Sequence, residues 1–237
     1  MSQASGQPTS LDQQLDTLKR RLLREAMMVV EMLEQSLAAL FELNTDIAHD
    51  IRRRDDRIDA EEVAIEQACY RLLTLTQPVA KDFRLIAFTL KVNADFERIA
   101  DHAVSIAKIT EALGKLNTDR TTARWPTALI ELAERVPMAC HELLRSVLDE
   151  SADKSRQLIA EDRVLDRLDK QVFRECVELM DKQIIGSETG MLIHRLSREL
   201  ERVGDLLVNV AEDVVFLATG EIVRHAAKKK RRQAEAG

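Results

Sequence analysis
Turn-forming residues are scarce, with seven Gly and four Pro in 237 residues, so the chain has little material for loops. Aromatic residues are also rare at 3%, against 45% hydrophobic, which makes the core aliphatic. No apolar run approaches the roughly 20 residues needed to cross a bilayer. The opening MSQASGQPTS lacks a basic flank followed by an apolar stretch, so no secretory signal is expected and the protein is assigned to the cytoplasm. Cys69, Cys140 and Cys176 form an odd, widely spaced set without CxxC. That excludes a disulfide framework and a zinc knuckle and leaves core thiols. An excess of basic charge is missing too: 35 Lys and Arg stand against 41 Asp and Glu, a formal charge of −6. A general nucleic-acid surface is thereby disfavoured, and attraction for cations is favoured.

What is abundant is Leu, Ala, Glu, Arg, Asp and Lys, arranged with helical periodicity, so the expected fold is all-α. Apolar residues at three-and-four spacing predict a first helix over 8–43 on Leu11, Leu15, Leu18, Leu22, Val29, Leu33, Leu40 and Leu43. Asn44 and Thr45 cap a second, with Ile47, Ile51, Ile58, Ile65, Cys69 and Leu72 inward, stopped by Gln77-Pro78. A third covers 79–113 and ends at Gly114. The plan then repeats over 126–150, 152–184 closed by Gly186, and 188–220, with a kink or break expected at Pro137. Two tandem pseudo-symmetric three-helix bundles follow, over 8–116 and 126–222, with a linker at 117–125 and a basic, disordered tail at 223–237.

The repeat is visible in FERIADHAVSIAK at 96–108 and LERVGDLLVNVAE at 200–212. Glu97, Arg98 and Asp101 recur as Glu201, Arg202 and Asp205 at an offset of 104. Upstream, Asp55, Asp59, Glu62 and Cys69 recur as Asp162, Asp166, Asp169 and Cys176 at an offset of 107, so the second half is shorter at its last turn. Residues four apart lie roughly 40° apart around a helix. Glu97 and Asp101 therefore share a face pointing away from the seam of Leu85, Val92, Phe96, Ile99, Ala103 and Ile106. Glu201 and Asp205 relate in the same way to Leu196, Leu200, Val203, Leu207, Val210 and Val214.

Where two such pairs lie side by side, four carboxylates converge, and either protonation or a cation relieves their repulsion. Hard ions such as magnesium, manganese or iron suit all-oxygen sites, several carboxylates being able to bridge more than one ion. The competing reading is a solvated acidic face paired with Arg98 and Arg202. His194, two turns before Glu201, is a candidate extra ligand whose repeat partner is Leu90; the other histidines have no company. There is no Glu-x-x-His, no phosphate-binding glycine loop and no G-x-S-x-G, so no catalytic residue is assigned.

QPVAKDFRLI at 77–86, KVNADFERIADHAVSIAK at 91–108, RELERVGDLLVNVAED at 198–213 and the upstream DxxxD pairs together resemble the PhoU family of bacterial phosphate-transport accessory proteins. The resemblance covers residues 10–220 and implies two three-helix bundles in a row. It further implies metal sites at Asp55, Asp59, Glu97 and Asp101 and at Asp162, Asp166, Glu201 and Asp205, holding iron, manganese, magnesium or zinc. The implied role is not enzymatic. It is that of a cytosolic adaptor, peripheral to the membrane complex, between a sensor histidine kinase and the ATPase subunit of the phosphate ABC transporter. Such a protein restrains signalling and uptake when phosphate is plentiful, and a homodimer without nucleic-acid partners is expected. The second half lacks the QPVAKDFR element, having IIGSETGML there. Pro78, Asp82 and Arg84 are expected to shape the first half's turn, with Asp82 favourably placed at a helix start.

Two alternatives are a two-metal carboxylate phosphoesterase and a transcriptional or chaperone-type helical adaptor. The run Lys228 to Arg232 is expected to be a solvated tail, or else an electrostatic contact to anionic lipid or an acidic partner.

Overall fold
The computed structural model describes residues 10–116 and 124–223. The Lys228–Arg232 run and most of the expected linker lie outside the described residues. Among the described residues there are six helices and no strand: α1 (Ser10–Glu42), α2 (Thr45–Thr76), α3 (Ala80–Lys115), α4 (Thr127–Leu148), α5 (Ala152–Asp181) and α6 (Ser187–Thr219). The chain is all-α, with α1–α3 forming one bundle and α4–α6 the other. None of these helices is long and apolar enough to cross a membrane.

The duplication extends to the turns. Leu43, one residue beyond α1, and Glu150, two beyond α4, both take positive φ (51° and 48°), the left-handed turn that reverses the chain. Asn44 and Ser151 follow them, and each accepts a hydrogen bond from the backbone N–H three residues on, at Ile47 and Lys154. Satisfying these otherwise orphaned donors starts α2 and α5 at equivalent places.

Three expected boundaries are corrected. Gly114 does not end α3; it sits within the last turn, where a Cβ would lie 2.8 Å from Thr45 Cγ2. Its glycine serves close approach of α3 to the start of α2 rather than a left-handed cap. Gly186 does not close α5, which ends at Asp181 with the turn made through Gln183 (φ 54°); Gly186 is instead the N-cap of α6. α4 is continuous through Pro137, so no break occurs there, although proline withholds the N–H that Ala133 O would accept.

Of the expected inward residues, Ile47 is corrected to 38% exposed, because in this first turn of α2 it is the adjacent Ala48, about 100° round the helix, that is buried. Leu11, Leu43 and Leu85 are half-buried, and the rest of the seam is buried, as are all three cysteines. One aliphatic cluster runs through both bundles, from Leu22 and Phe96 to Leu132 and Leu207. A smaller one, with Leu15, Leu18, Ile65, Cys69, Leu72 and Ile86, closes the far end of the first bundle. The bundles meet along α3 and α6, where Lys91 pairs with Asp213 at 3.0 Å and His102 Nδ1 lies 2.7 Å from Glu199 Oε2.

At the QPVAKDFR turn, Gln77 and Ala80 have positive φ (46° and 40°), and the Asp82 N–H donates to Val79 O. Arg84 reaches toward Gly220, the left-handed cap of α6, where a cation meets the negative end of the helix dipole.

Candidate metal centre
α2 and α3 are antiparallel neighbours whose register is fixed by Asn93 Nδ2 donating to Glu62 O at 2.9 Å. One turn further along, Asp59 stands opposite Glu97; another turn puts Asp55 opposite Asp101. The electrostatics follow that register. Burial, then Asp59, then Asp101 across the gap, raise the Asp55 carboxyl above its ordinary range. Glu97 is pushed up to about 7, first by burial and then by Asp101, Glu62, Asp59 and Asp55. Glu62 is raised by burial, Glu66 and Asp59, so it belongs to the same stripe. The four acids expected for the first half are thus brought to one face. Asp59 and Asp101 stay exposed, while Asp55 and Glu97 are half-buried.

A further carboxylate comes from α1. Glu25 is fully buried, and neither of its carboxylate oxygens has a hydrogen-bond partner. Burial drives it up to about 8; Glu61, Glu62 and Glu97 push the same way, and Arg21 pulls against them. Arg21 itself is engaged by Glu61 at 2.8 Å. Sequence reasoning missed Glu25, although a signal existed: Leu18, Leu22, Glu25 and Val29 follow three-and-four spacing, so a charge occupies a core position.

In the second half, Ser197 Oγ donates to Asp169 Oδ1 at 2.8 Å and sets α5 against α6. By the same steps Asp166 comes beside Glu201, on which it acts, and Asp162 stands one turn further along α5. Gly204 permits the close approach, since a Cβ there would stand 2.7 Å from Leu165 Cδ1. Glu201 is raised by burial; Arg198 opposes the rise, and Asp205, Asp169 and Asp166 add to it. Arg198 contacts Asp169 at 3.0 Å and Glu201 at 3.3 Å. Asp162 lines a groove with Arg135 and Glu142 of α4 and Val208 of α6.

The arginines expected to neutralise the acid pairs do not do so in the first half, where Arg98 lies 3.6 Å from Asp95. Arg202 instead lowers Glu199. His194 packs edge-on to Phe173, ring centres 5.1 Å apart, with its Nδ1 buried and unpartnered. The remaining histidines are not all alone: His102 meets Glu199, and His141 Nε2 lies 2.8 Å from Glu34.

Hard cations fit the donor chemistry of both faces. Apart from His194, whose ring packs against Phe173, every candidate ligand is a carboxylate, and the Glu25 oxygens and Glu201 Oε2 are buried without hydrogen-bond partners. With no thiolate among the candidate ligands and His194 the one imidazole, the set suits magnesium, manganese or iron better than zinc. Among the described residues no three of these side chains already converge on one point, and mutual repulsion favours such splaying.

An acid-faced tandem of three-helix bundles is the class that this fold and these stripes define. The model of the PhoU domain matches residues 22–110 and 129–214, one match in each bundle, and the chain belongs to the PhoU family. It is 32% identical to a phosphate-specific transport system accessory protein PhoU homolog of Clostridium acetobutylicum, over 88% of this chain and 94% of that one. Identity to the phosphate-specific transport system accessory protein PhoU of Escherichia coli is 26%, over 90% and 86%. Two solved structures share the fold. PhoU from Pseudomonas aeruginosa matches with a TM-score of 0.83 at 28% identity, covering 90% of this chain and all of that one. The phosphate transport system regulatory protein PhoU from Streptococcus pneumoniae matches at 0.81 and 27%, covering 90% and 99%.

Proposed function
We propose that this protein is a cytoplasmic regulator of phosphate uptake and phosphate-starvation signalling. It works by contact, as an adaptor between a sensor histidine kinase and the ATPase subunit of the phosphate ABC transporter, and it restrains both when phosphate is plentiful. Membership of the PhoU family carries the reading, and relatives named as transport accessory proteins support it. Asp55, Asp59, Glu97 and Asp101 would hold hard cations in the first half, and Asp162, Asp166, Glu201 and Asp205 in the second. A bound cation supplies positive charge that lets opposed carboxylates close together, stiffening α2 against α3 and α5 against α6. In this reading the ions shape a contact surface and turn over no substrate, and the homodimer is part of the same proposal.

The test is a phosphate-starvation reporter in a strain deleted for the gene. Deletion leaves the reporter on in phosphate-rich medium, and the wild-type protein switches it off. Combined Glu97→Ala and Asp101→Ala substitution loses repression together with metal content in elemental analysis. Normal repression in the deletion strain, with no related gene present, refutes the regulatory reading; turnover of phosphate esters by purified manganese-loaded protein puts the phosphoesterase in its place.

A further inference from the structure
The two acid faces are pseudo-equivalent in backbone yet unlike in charge. Superposing the repeats at an offset of 107 matches Leu22 with Leu129, Val29 with Val136 and Asn44 with Ser151, and it places Leu132 where the first half has Glu25. Both positions are fully buried. In the second half the slot is filled by an ordinary aliphatic side chain. In the first it holds a carboxylate with two unpartnered oxygens, sunk behind the α2–α3 acid stripe and in electrostatic range of Glu62 and Glu97.

On α3 and α6 the difference runs the other way. At the offset of 104, Asn93 and Ser197 are equivalent register residues, and the position after each is Ala94 in the first half and Arg198 in the second. Arg198 bridges Asp169 and Glu201. Ala94 offers the first-half stripe nothing of the kind. Arg21 is engaged by Glu61, and Lys108 acts on Asp55 at the far end of the stripe. An internal arginine thus already supplies part of what a cation would supply to the second face, whereas an extra buried carboxylate deepens the need in the first.

We propose that Glu25 is an additional carboxylate of the first-half cation site, and that this site binds a divalent cation more tightly than its counterpart, where Leu132 and Arg198 stand instead. The proposal rests on the metal reading of the two faces given above. Removing a group that ligates or supports a metal costs ~10- to 100-fold in affinity. Adding an internal cation beside the ligands works in the same direction, because two positive charges then compete for the same oxygens.

The experiment is titration of the full chain, stripped with chelator, with manganese(II) alone, followed by electron paramagnetic resonance. Wild type is expected to show two classes of site. Asp101→Ala removes the tighter class and Asp205→Ala the weaker, which assigns them to the halves. Glu25→Leu, copying the second half's residue, weakens the tighter class ~10- to 100-fold and leaves the weaker unchanged. Glu25→Gln, which keeps the side-chain volume, does the same and guards against a folding defect. Arg198→Ala, at a partly exposed position, tightens the weaker class. If wild type binds manganese in equivalent sites, or if both Glu25 variants bind as wild type does, the proposal is overturned while the metal reading stands. Absence of manganese binding by wild type overturns both.

Discussion
Replacing Glu25 by Leu should stabilise the metal-free protein by an amount that grows with pH. The wild-type carboxyl is raised from an ordinary value near 4.5 to about 8 in the fold. A group raised in this way favours folding fully below the unfolded value and loses that contribution as pH climbs through the folded one. At pH 5 the difference between the ionisation free energies of the two states is about 1 kcal/mol, and by pH 8 it approaches 4 kcal/mol, at 1.36 kcal/mol per pH unit. Wild type should therefore lose on the order of 3 kcal/mol more than Glu25→Leu between these pH values. Leucine also fills a site whose repeat equivalent is Leu132, so overpacking is not expected. The assay is urea denaturation at pH 5, 6, 7 and 8 with chelator present, followed by helical circular dichroism. Parallel pH profiles for the two proteins would refute the reasoning, since they would mean that Glu25 ionises as freely in the fold as in the unfolded chain.

Ile65→Ala and Leu207→Ala remove fully buried side chains from the two clusters and should each cost about 2 to 5 kcal/mol in the same assay; a loss below about 0.5 kcal/mol would mean that the assigned seam is rotated. Gly114→Ala should destabilise by roughly 1 to 3 kcal/mol through the Thr45 contact, and Thr45→Ser, which deletes Cγ2, should return most of that loss; simple additivity in the double-mutant cycle would contradict the contact. His102→Leu leaves the buried Glu199 carboxylate without its hydrogen bond and should cost about 1 to 3 kcal/mol. Burial alone would push Glu199 up, but His102, Arg202 and Arg195 hold it below its ordinary range, so His102→Leu should raise its titration; an unchanged carboxyl shift by nuclear magnetic resonance would exclude the pairing.

Helix periodicity was enough to define six helices, and the repeated acid motifs enough to put the two acids of each pair on one helix face, because both depend on spacing along one chain segment. Boundaries governed by contact between segments were not legible. Gly114 reads as a terminator in sequence, yet its role depends on Thr45, nearly 70 residues earlier. Gly186 reads as a stop and acts as a start, because a different residue, Gln183, takes the left-handed conformation. At the candidate site, the pairs on α2, α3, α5 and α6 followed from residues four apart. Glu25 did not: the spacing of Leu18, Leu22 and Val29 marks it as a charge at a core position, but only the docking of α1 against α2 and α3 shows which carboxylates it neighbours. Neither did Arg198, whose partners Asp169 and Glu201 include one on another helix.

The His102–Glu199 hydrogen bond joins α3 to α6 at positions immediately beside Asp101 in one half of the duplication and Arg198 in the other. Each helix is therefore a shared wall, facing its own acid partner on one side and its opposite number across the seam on another. Ligand occupancy at the two faces is then a problem in thermodynamic reciprocity: whatever factor a cation at the first face applies to affinity at the second must be returned unchanged in the other direction. On the proposed metal reading, this part-buried hydrogen bond, with its ends beside both faces, is the place where such a factor would be carried, and mutating it would test that while every candidate ligand remains in place.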